Sequence, residues 1–335
     1  MRNWTVLAAI GACALGLAPH AGAAADKVSF GTNWLAEAEH GGYYQAIADG
    51  TYAKYGLDVT IVPGGPQANN RMLLLSGKLD FYMGGNMIQA FSAVEENVPT
   101  IVVAAIFQKD PQIFMSHPGV GLDKWTDLPK ASAVFVGKEG LASFYLWMES
   151  AYGFKEENVK PYNFNAAPFI ADKNSIQQGY LTAEPYAVEK DGGFKPNIFL
   201  LADNGYSTYA TTIEARKETV DKNPDLVQRF VNASIIGWYH YLYGDNAKAN
   251  AAIKKDNPDI SDEQIAFSIA KLKEYGIVDS GDTQKLGIGA MTDARMKDFF
   301  DQMAKAGVFK ADVDYKKAYT LTFVDKGVGL DLKPK

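Results

Sequence analysis

The stretch Leu57-Asp58-Val59-Thr60-Ile61-Val62, which is followed by Gly64-Gly65-Pro66, decides the fold class of this 335-residue chain. Its polar and apolar residues alternate and several are β-branched, a pattern that predicts a β-strand. The glycines and the proline then lead into a predicted helix through Leu73-Leu74-Leu75. Because strands and helices alternate in this way, the sequence predicts an α/β fold with a largely parallel sheet.

The same alternation extends to both sides of this stretch. In the first half, we predict strands at residues 28–31, 79–83 and 100–106, a helix at residues 41–55, and a helix that begins after Asn86. A second unit starts near Pro111, with strands at residues 133–136 and 197–201 and helices at residues 143–152 and 172–178. Residues 209–213 are expected to return the chain to the first unit, and helices after Asn223, Ser261 and Thr292 complete it.

Composition and charge narrow the function classes. The chain is 47% hydrophobic and 21% charged, an ordinary globular composition, and its length suits about two domains. The net charge is −6 and the pI is about 5.3. An acidic chain without a basic cluster is poorly suited to nucleic acid or to an anionic membrane, so we expect neither as a partner.

The first 25 residues have the pattern of a secretory signal peptide. Arg2 supplies the positive charge, residues 6–17 are apolar, and Ala21-Gly22-Ala23 fits a small-x-small cleavage site. The apolar run is too short to span a membrane. The single cysteine, Cys13, lies inside this segment, so the mature chain would have no disulfide and no cysteine nucleophile. The alternative is a lipoprotein box at residues 10–13 with a lipid anchor on Cys13; in both cases the protein is exported.

Residues 33–44 form the first candidate binding stretch. The sequence Asn33-Trp34-Leu35-Ala36-Glu37-Ala38-Glu39-His40-Gly41-Gly42-Tyr43-Tyr44 combines an indole, two carboxylates, an imidazole and two phenols. This mixture suits a flat polar ring, because Trp and Tyr offer stacking faces with a polar edge. The two glycines are expected to let the main chain approach a ligand closely. A surface loop with one half-buried tryptophan is the alternative.

Three glycine-bearing turns lead into predicted helix N-termini, at Gly64-Gly65-Pro66, at Gly84-Gly85-Asn86 and between Gly137 and Ser143. In an open α/β sheet, ligands bind beyond the carboxyl ends of the strands, where free N–H groups favour polar acceptors. Asn86, Gly137 and Ser143 are therefore candidate contacts. None of the turns matches a phosphate-binding loop, and ordinary βα turns are the alternative.

The stretch Glu184-Pro185-Tyr186 offers a carboxylate between Tyr180 and Tyr186. Pro185 is expected to hold Glu184 in an extended conformation. A carboxylate fixed in this way can accept a two-point, charge-assisted hydrogen bond from an aminopyrimidine. A solvated surface glutamate is the alternative.

The sequence offers little for catalysis. The mature histidines, His40, His117 and His240, are far apart and lack the paired spacing of metal ligands. There is no nucleophile elbow, and two neighbouring glutamates, Glu37 and Glu39, do not make a glycosidase. We therefore expect neither an enzyme nor a bound cofactor or metal.

The whole mature chain resembles the substrate-binding proteins of ABC importers that have the type II periplasmic binding fold. Within them it resembles the group that binds thiamine pyrimidines, sulfonates and nitrate. The motifs that carry the resemblance are Asn33-Trp34 and residues 39–44, 55–59, 77–81, 153–154, 179–186 and 224–230. Trp34 to Tyr44 and Glu184-Pro185-Tyr186 resemble the bacterial branch that binds formylaminopyrimidine, a thiamine precursor.

The resemblance implies two α/β lobes that close on a ligand about a hinge. Lobe I would comprise residues 26–112 and 208–335, and lobe II residues 113–207. Trp34 and Tyr186 would then sandwich the ring while Glu184 binds its amino edge. The full set of candidate ligand-binding residues is Trp34, Glu39, His40, Tyr43, Asn86, Gly137, Ser143, Glu184 and Tyr186. The resemblance also implies a periplasmic monomer that delivers its ligand to an ABC permease in the inner membrane.

Three other functions stay open. A small anion such as a sulfonate or nitrate would suit the helix N-termini, although a buried Glu184 would repel it. A quaternary amine could be held by cation–π contacts in a cage of Trp34, Tyr43, Tyr44 and Tyr186. An enzyme is the last alternative, because a fungal enzyme of this fold makes the thiamine pyrimidine from a lysine-bound pyridoxal phosphate and a histidine. That enzyme carries a cysteine-rich motif, whereas this chain has no mature cysteine and no lysine between Lys27 and Lys54.

Overall fold

A computed structural model of the chain describes residues 24–65, 68–163 and 165–334. The predicted signal peptide therefore lies almost entirely outside the described residues. Cys13, with the possible lipoprotein box, and Pro66 of the first glycine turn also lie outside them.

The described residues form ten strands and fourteen α-helices. The strands are β1 (Asp26–Gly31), β2 (Leu57–Val62), β3 (Phe81–Asn86), β4 (Thr100–Phe107), β5 (Gln112–Ser116), β6 (Ala133–Val136), β7 (Val159–Pro161), β8 (Ser175–Tyr180), β9 (Asn197–Leu200) and β10 (Ala210–Arg216). The helices are α1 (Gly41–Ala48), α2 (Thr51–Lys54), α3 (Asn70–Leu75), α4 (Met87–Glu95), α5 (Lys138–Leu141), α6 (Phe144–Tyr152), α7 (Ala167–Ala171), α8 (Glu184–Gly192), α9 (Lys217–Lys222), α10 (Pro224–Tyr243), α11 (Ala247–Asp256), α12 (Asp262–Glu274), α13 (Thr283–Leu286) and α14 (Asp293–Lys305).

The strands form two five-stranded sheets. The first has the order β2-β1-β3-β10-β4 and the second the order β7-β6-β8-β5-β9. We call the first sheet, together with the helices packed on it, the first unit. The second sheet and its helices form the second unit. The chain passes between them twice, at residues 108–111 and 201–209. The prediction of two α/β lobes is confirmed.

The prediction of a largely parallel sheet is wrong, because each sheet is mixed. In the first sheet β1 pairs in parallel with β2 and β3, whereas β10 runs antiparallel between β3 and β4. In the second sheet β6 pairs in parallel with β7 and β8, whereas β5 is antiparallel to β8 and β9. The antiparallel strands β5 and β10 are those that directly follow a crossing between the units.

Two predicted helices have different structures. Residues 172–178 were expected to be helical, but the Asp172 carboxylate accepts a hydrogen bond from the Asn174 amide at 3.0 Å and forms a turn. Strand β8 follows and lies between β5 and β6. The predicted helix at residues 41–55 is two helices, because Gly50 has φ +74° and the Asp49 carboxylate accepts from the Thr51 amide at 2.9 Å.

Several helix boundaries agree with the sequence. The side chains of Asn86, Ser261 and Thr292 accept main-chain hydrogen bonds at the starts of α4, α12 and α14, as N-caps do. Gly84 and Gly85, however, belong to β3 rather than to a turn. Glu184 is helical rather than extended, because Pro185 lies in the first turn of α8, where its missing N–H has no partner to lose.

The adjacent glycines of the first binding stretch serve helix packing rather than a ligand. A side chain at Gly41 would overlap the ring of Tyr241, and one at Gly42 would overlap the indole of Trp238. Both aromatic residues belong to α10, so the missing Cβ atoms let α1 lie directly against that helix. The expectation of a close approach between this main chain and a ligand is therefore wrong at these two positions.

Candidate functional site

Thr182, in the loop between β8 and α8, joins the two units at a buried junction. Its hydroxyl donates a hydrogen bond to Oε1 of Glu39 in the segment after β1. Its carbonyl oxygen accepts one from the hydroxyl of Ser268 in α12, at 2.8 Å. All three residues are buried, so the junction excludes water around these contacts.

Four carboxyl groups act on the hydroxyl of Tyr180 at this junction, and they belong to Asp110, Glu39, Glu37 and Glu184. Burial raises the pKa of the Tyr180 phenol, and the four carboxylates raise it further because they disfavour a phenolate. The fold collects these groups from the segment after β1, from the first crossing segment and from the start of α8. The junction is therefore rich in carboxyl groups and in hydrogen-bond acceptors.

Glu39 has one satisfied and one unsatisfied oxygen. Oε1 takes the hydrogen bond from Thr182, whereas Oε2 is buried and has no partner among the described residues. Burial raises the pKa of Glu39, and the Thr182 hydrogen bond opposes this shift. Burial and the neighbouring Glu39 and Glu184 also raise the pKa of Glu37 well above its ordinary value. A buried carboxylate oxygen without a donor is costly, so a ligand N–H at Oε2 would be stabilising.

His40 lies beside these glutamates and is fully buried. Neither ring nitrogen has a hydrogen-bond partner among the described residues, and Nε2 lies 3.9 Å from Oε1 of Glu37. Burial lowers the pKa of His40 to about 3, so the imidazole is neutral at pH 7. A neutral imidazole donates through one nitrogen and accepts through the other, which suits the edge of a nitrogen heterocycle.

Asp110 lies in the first crossing segment, where Asn86 contacts it. Nδ2 of Asn86 donates to Oδ2 of Asp110 at 2.8 Å, and the amide of Gln112 donates to Oδ1 at 3.0 Å. Burial raises the pKa of Asp110 to about 6, although both hydrogen bonds lower it. The predicted site residue Asn86 thus has two structural contacts: it caps α4 and positions Asp110.

Glu184 is held rigidly between two tyrosines, as expected, but the second tyrosine is Tyr162 rather than Tyr186. Oε2 of Glu184 accepts from the Tyr180 amide at 2.6 Å, and Oε1 accepts from the Tyr162 hydroxyl at 3.1 Å. Burial raises the pKa of Glu184, and these hydrogen bonds oppose the shift. The ring of Tyr186 lies 5.5 Å from that of Phe267 in α12, across the junction.

Tyr43 lies in the core of the first unit. Its ring is fully buried, 4.3 Å from the ring of Phe30 and edge-on to Trp238 at 6.0 Å. Tyr44 is also buried, and its hydroxyl donates to Asp256 at 2.8 Å. Two walls of the aromatic cage considered for a quaternary amine are therefore structural residues.

Trp34, Gly137 and Ser143 are the remaining predicted residues. Trp34 is partly exposed, and its carbonyl oxygen accepts from the amide of Gly64 at 3.0 Å. Gly137 and Ser143 precede α5 and α6 in the second unit. The amide of Gly137 donates to Oε1 of Gln178 at 2.7 Å, which fixes the turn before α5.

Sequence reasoning missed Asp110, Tyr162 and Thr182 as members of the site. Asp110 follows the apolar strand β4, which is a signal for the edge of a sheet, but a weak one. Tyr162 directly follows β7 and carries the same signal. Thr182 follows β8, which has no apolar pattern to mark it as a strand. Asp110 and Tyr162 stand in no recognised motif, whereas Thr182 lies in the stretch 179–186 without being singled out there.

The polar groups of the junction are hydrogen-bonding groups. Among the described residues, no three His, Cys, Asp or Glu side chains are grouped so that they could hold a metal ion. The polar groups around Tyr180 instead offer carboxylate acceptors and one neutral imidazole. Every helix within the described ranges is too short or too polar to span a membrane.

Comparison with known proteins gives a family match and distant relatives. The sequence model described as "NMT1/THI5 like" matches residues 37–247. The riboflavin-binding protein RibY of Chloroflexus aurantiacus is 24% identical over 323 residues, which cover 92% of this chain and 89% of RibY.

Solved structures with the same fold include binding proteins and an enzyme. The periplasmic sulfonate-binding protein SsuA of Methylobacillus flagellatus superposes with a TM-score of 0.61 at 14% identity, over 90% of this chain and 93% of SsuA. The desulfurization enzyme DSZB superposes with a TM-score of 0.57 at 12% identity, over 89% of this chain and 97% of DSZB. At these identities the likeness concerns the fold alone.

Proposed function

Because the chain belongs to the NMT1/THI5-like family, we propose that it is the substrate-binding component of an ABC importer. Its ligand is a thiamine-precursor aminopyrimidine such as formylaminopyrimidine or hydroxymethylpyrimidine. It is a periplasmic monomer that captures this ligand between its two lobes and delivers it to a permease in the inner membrane. The lobes correspond to the two units, with the crossing segments as the hinge.

The acceptor-rich junction is the observation that carries this proposal. An aminopyrimidine has an exocyclic amino group and a ring nitrogen that can be protonated next to a carboxylate. Oε2 of Glu39 is buried and has no donor within the described part of the chain, and Glu184 is held by Tyr180 and Tyr162. These two carboxylates and the neutral His40 provide the acceptors and the mixed donor–acceptor group that such a ring requires. Trp34 supplies a stacking face.

The same junction argues against a small anion. All four ionisable groups that act on Tyr180 are carboxyl groups. A sulfonate or nitrate placed there would face several negative groups in a buried, weakly screened environment. This chain shares its fold with SsuA, but we do not propose a sulfonate as its ligand.

Riboflavin is a second candidate ligand, because RibY is related over nearly the whole chain. The flavin ring resembles a pyrimidine in offering a flat face for Trp34. Its pyrimidine edge carries one N–H between two carbonyl oxygens, however, so it presents fewer donors to Glu39 and Glu184 than an aminopyrimidine does. The carboxyl-rich junction thus favours the aminopyrimidine.

Calorimetric titration of the mature protein, stripped of bound ligand by unfolding and refolding, tests the function. The ligands are formylaminopyrimidine, hydroxymethylpyrimidine and riboflavin, with taurine and nitrate as anionic controls. We expect tight 1:1 binding of a pyrimidine and no heat from the anions. Binding of taurine or nitrate alone would contradict the proposal, and binding of riboflavin alone would replace the ligand while retaining the transport function.

A further inference from the structure

A second group of buried polar atoms lies in the first unit, where α3 packs over β3 and β10. Both carboxylate oxygens of Glu214 and the hydroxyl of Thr212 are buried without a hydrogen-bond partner among the described residues. Nη2 of Arg71 lies 3.8 Å from Oε2 of Glu214, too far for a hydrogen bond, and Nε of Arg71 is buried without a partner as well. We call Arg71, Thr212 and Glu214 the Arg71–Glu214 slot.

The backbone around the slot has an unusual geometry. Strand β10 has a register shift between Ile213 and Glu214, and Thr211 has φ +47°, a left-handed conformation that is rare for a β-branched residue. Across the strand pair, a side chain at Gly84 would overlap both Oε1 of Glu214 and Oγ1 of Thr212. Gly84 therefore leaves the space into which both polar side chains project. Bulges and strained residues of this kind are common beside functional sites.

The slot is connected to the candidate site through strand β3. Thr212 pairs with Gly84 in β3, two residues before Asn86, which contacts Asp110. Nη2 of Arg71 donates to the carbonyl oxygen of Gln89 in α4 at 3.2 Å, so the guanidinium lies beside the first turns of that helix. The Arg71 side chain is 28% exposed, whereas Thr212 and Glu214 are buried, so Arg71 is the member of the slot that reaches solvent.

A separated ion pair with unused donors and acceptors is suited to a group that can both donate and accept. A hydroxyl or a primary or secondary amide placed between the partners accepts from Arg71 and donates to Glu214, with Thr212 as an additional partner. A purely apolar group would leave all of these atoms unsatisfied. A carboxylate would be repelled by Glu214, and an ammonium group by Arg71.

We infer that the Arg71–Glu214 slot binds the hydroxyl or amide substituent of the ligand whose ring occupies the junction at Tyr180. This inference rests on the proposed function and specifies its substrate class: a heterocycle with a short hydroxyl- or amide-bearing arm. Hydroxymethylpyrimidine, formylaminopyrimidine and the ribityl chain of riboflavin all provide such an arm.

Paired ligands that differ only in the arm test this inference on the full mature chain. The pairs are 4-amino-5-hydroxymethyl-2-methylpyrimidine against 4-amino-2,5-dimethylpyrimidine, and riboflavin against lumiflavin. We expect the hydroxyl-bearing member to bind at least about tenfold more tightly to the wild type, because a slot built for hydrogen bonds rejects a ligand that leaves it unpaired. In Thr212→Val, which keeps the side-chain shape, that preference should fall several-fold.

Glu214→Gln is the second variant, and Thr219→Val, a buried threonine on α9, is the matched control that should keep the wild-type preference. Melting temperatures show whether each variant is folded. If Glu214→Gln is unfolded, the ligand preference of Thr212→Val alone tests the slot. Equal affinity for both members of a bound pair would overturn the slot and leave the proposed function intact. An unchanged preference in folded Thr212→Val and Glu214→Gln would also overturn it. Failure of all four ligands to bind would overturn the proposed function and the slot together.

Discussion

The guanidinium carbon of Arg295 lies 4.0 Å from the centre of the Tyr209 ring, a cation–π contact at the second crossing between the units. The same guanidinium donates to the carbonyl oxygens of Ser207, at 2.8 Å, and of Thr208, at 3.3 Å. It also donates to the carbonyl oxygen of Gln108 in the first crossing segment. One side chain of α14 therefore binds both connections between the units.

Replacement of Arg295 by lysine should destabilise the protein, because an ammonium group cannot make these three contacts and the ring contact in one geometry. We expect the free energy of unfolding to fall by about 1–3 kcal/mol, measured by urea denaturation. Lys297→Met, on the same helix, removes only an exposed ion pair with Asp301 and should change stability by less than about 0.5 kcal/mol. Equal stabilities for the two variants would show that Arg295 does not fasten the crossing segments.

Asp110 should give the protein a pH-dependent loss of stability. Its pKa is about 6 in the folded protein and 3.8 in the absence of the fold, so the folded state binds this proton more tightly. This proton therefore stabilises the folded protein below about pH 4. As the pH rises through 6 the stabilisation is lost, and the free energy of unfolding falls by about 3 kcal/mol. Asp110→Asn removes this titration, so its free energy of unfolding relative to the wild type should rise by about that amount between pH 4 and pH 7.

Urea denaturation of both proteins at intervals between pH 4 and pH 7 measures this difference. If asparagine makes a weaker hydrogen bond than the aspartate does, stability is lower at every pH. The change of the stability difference with pH is then unaffected. Asp58→Asn, at an exposed position of β2, is the surface control. A constant difference between Asp110→Asn and the wild type would mean that burial of the Asp110 carboxylate is not costly.

Glu184→Gln should weaken binding of an aminopyrimidine by about 2 kcal/mol or more, because a charge-assisted pair becomes a neutral one. Isothermal titration gives the dissociation constant. Glu189→Gln, at an exposed position of the same helix, controls for the loss of one negative charge from the second unit. A dissociation constant equal to that of the wild type would remove Glu184 from the ligand site.

Gly42→Ala should destabilise the protein by about 1–3 kcal/mol, because the added methyl group would overlap the indole of Trp238 and force α1 away from α10. Thermal unfolding followed by circular dichroism measures the effect. At Gly137 an added methyl group would have ordinary contacts of 3.6 Å, so Gly137→Ala is the matched control with little change. A Gly42→Ala protein with the wild-type melting temperature would show that the helix pair adjusts without cost.

Local sequence patterns were sufficient for elements whose signals lie within a few residues. The alternation in residues 57–62 gave β2, and the caps at Asn86, Ser261 and Thr292 gave three helix starts. Strand β8 was missed because it is a central strand with polar residues on its buried positions. Ser175 and Gln177 are both fully buried, so the apolar alternation that marks a strand is absent.

The candidate site was predictable only in part, because its residues come from separate stretches of the chain. Glu39, His40 and Glu184 stand in recognisable stretches, and the structure brings Glu39 and Glu184 to the same junction. Asp110 lies far from these stretches in sequence, and the fold brings it to the junction through the first crossing segment. Thr182 stands only two residues before Glu184, but nothing in the sequence marks it as a partner of Glu39. Tyr43 was expected to contact a ligand because tyrosines do so often, but its position on α1 directs it into the core.

The position of β10 has a consequence for the order of folding. Among the described strands, β4 joins the first sheet through β10, whose residues follow the whole second unit in the sequence. A chain that becomes available from its N-terminus, as during synthesis, can therefore assemble the second unit while β3 still lacks one neighbour and β4 lacks its main partner. The first unit closes only after residues 210–216 arrive, so the later unit in sequence should become protease-resistant before the earlier one.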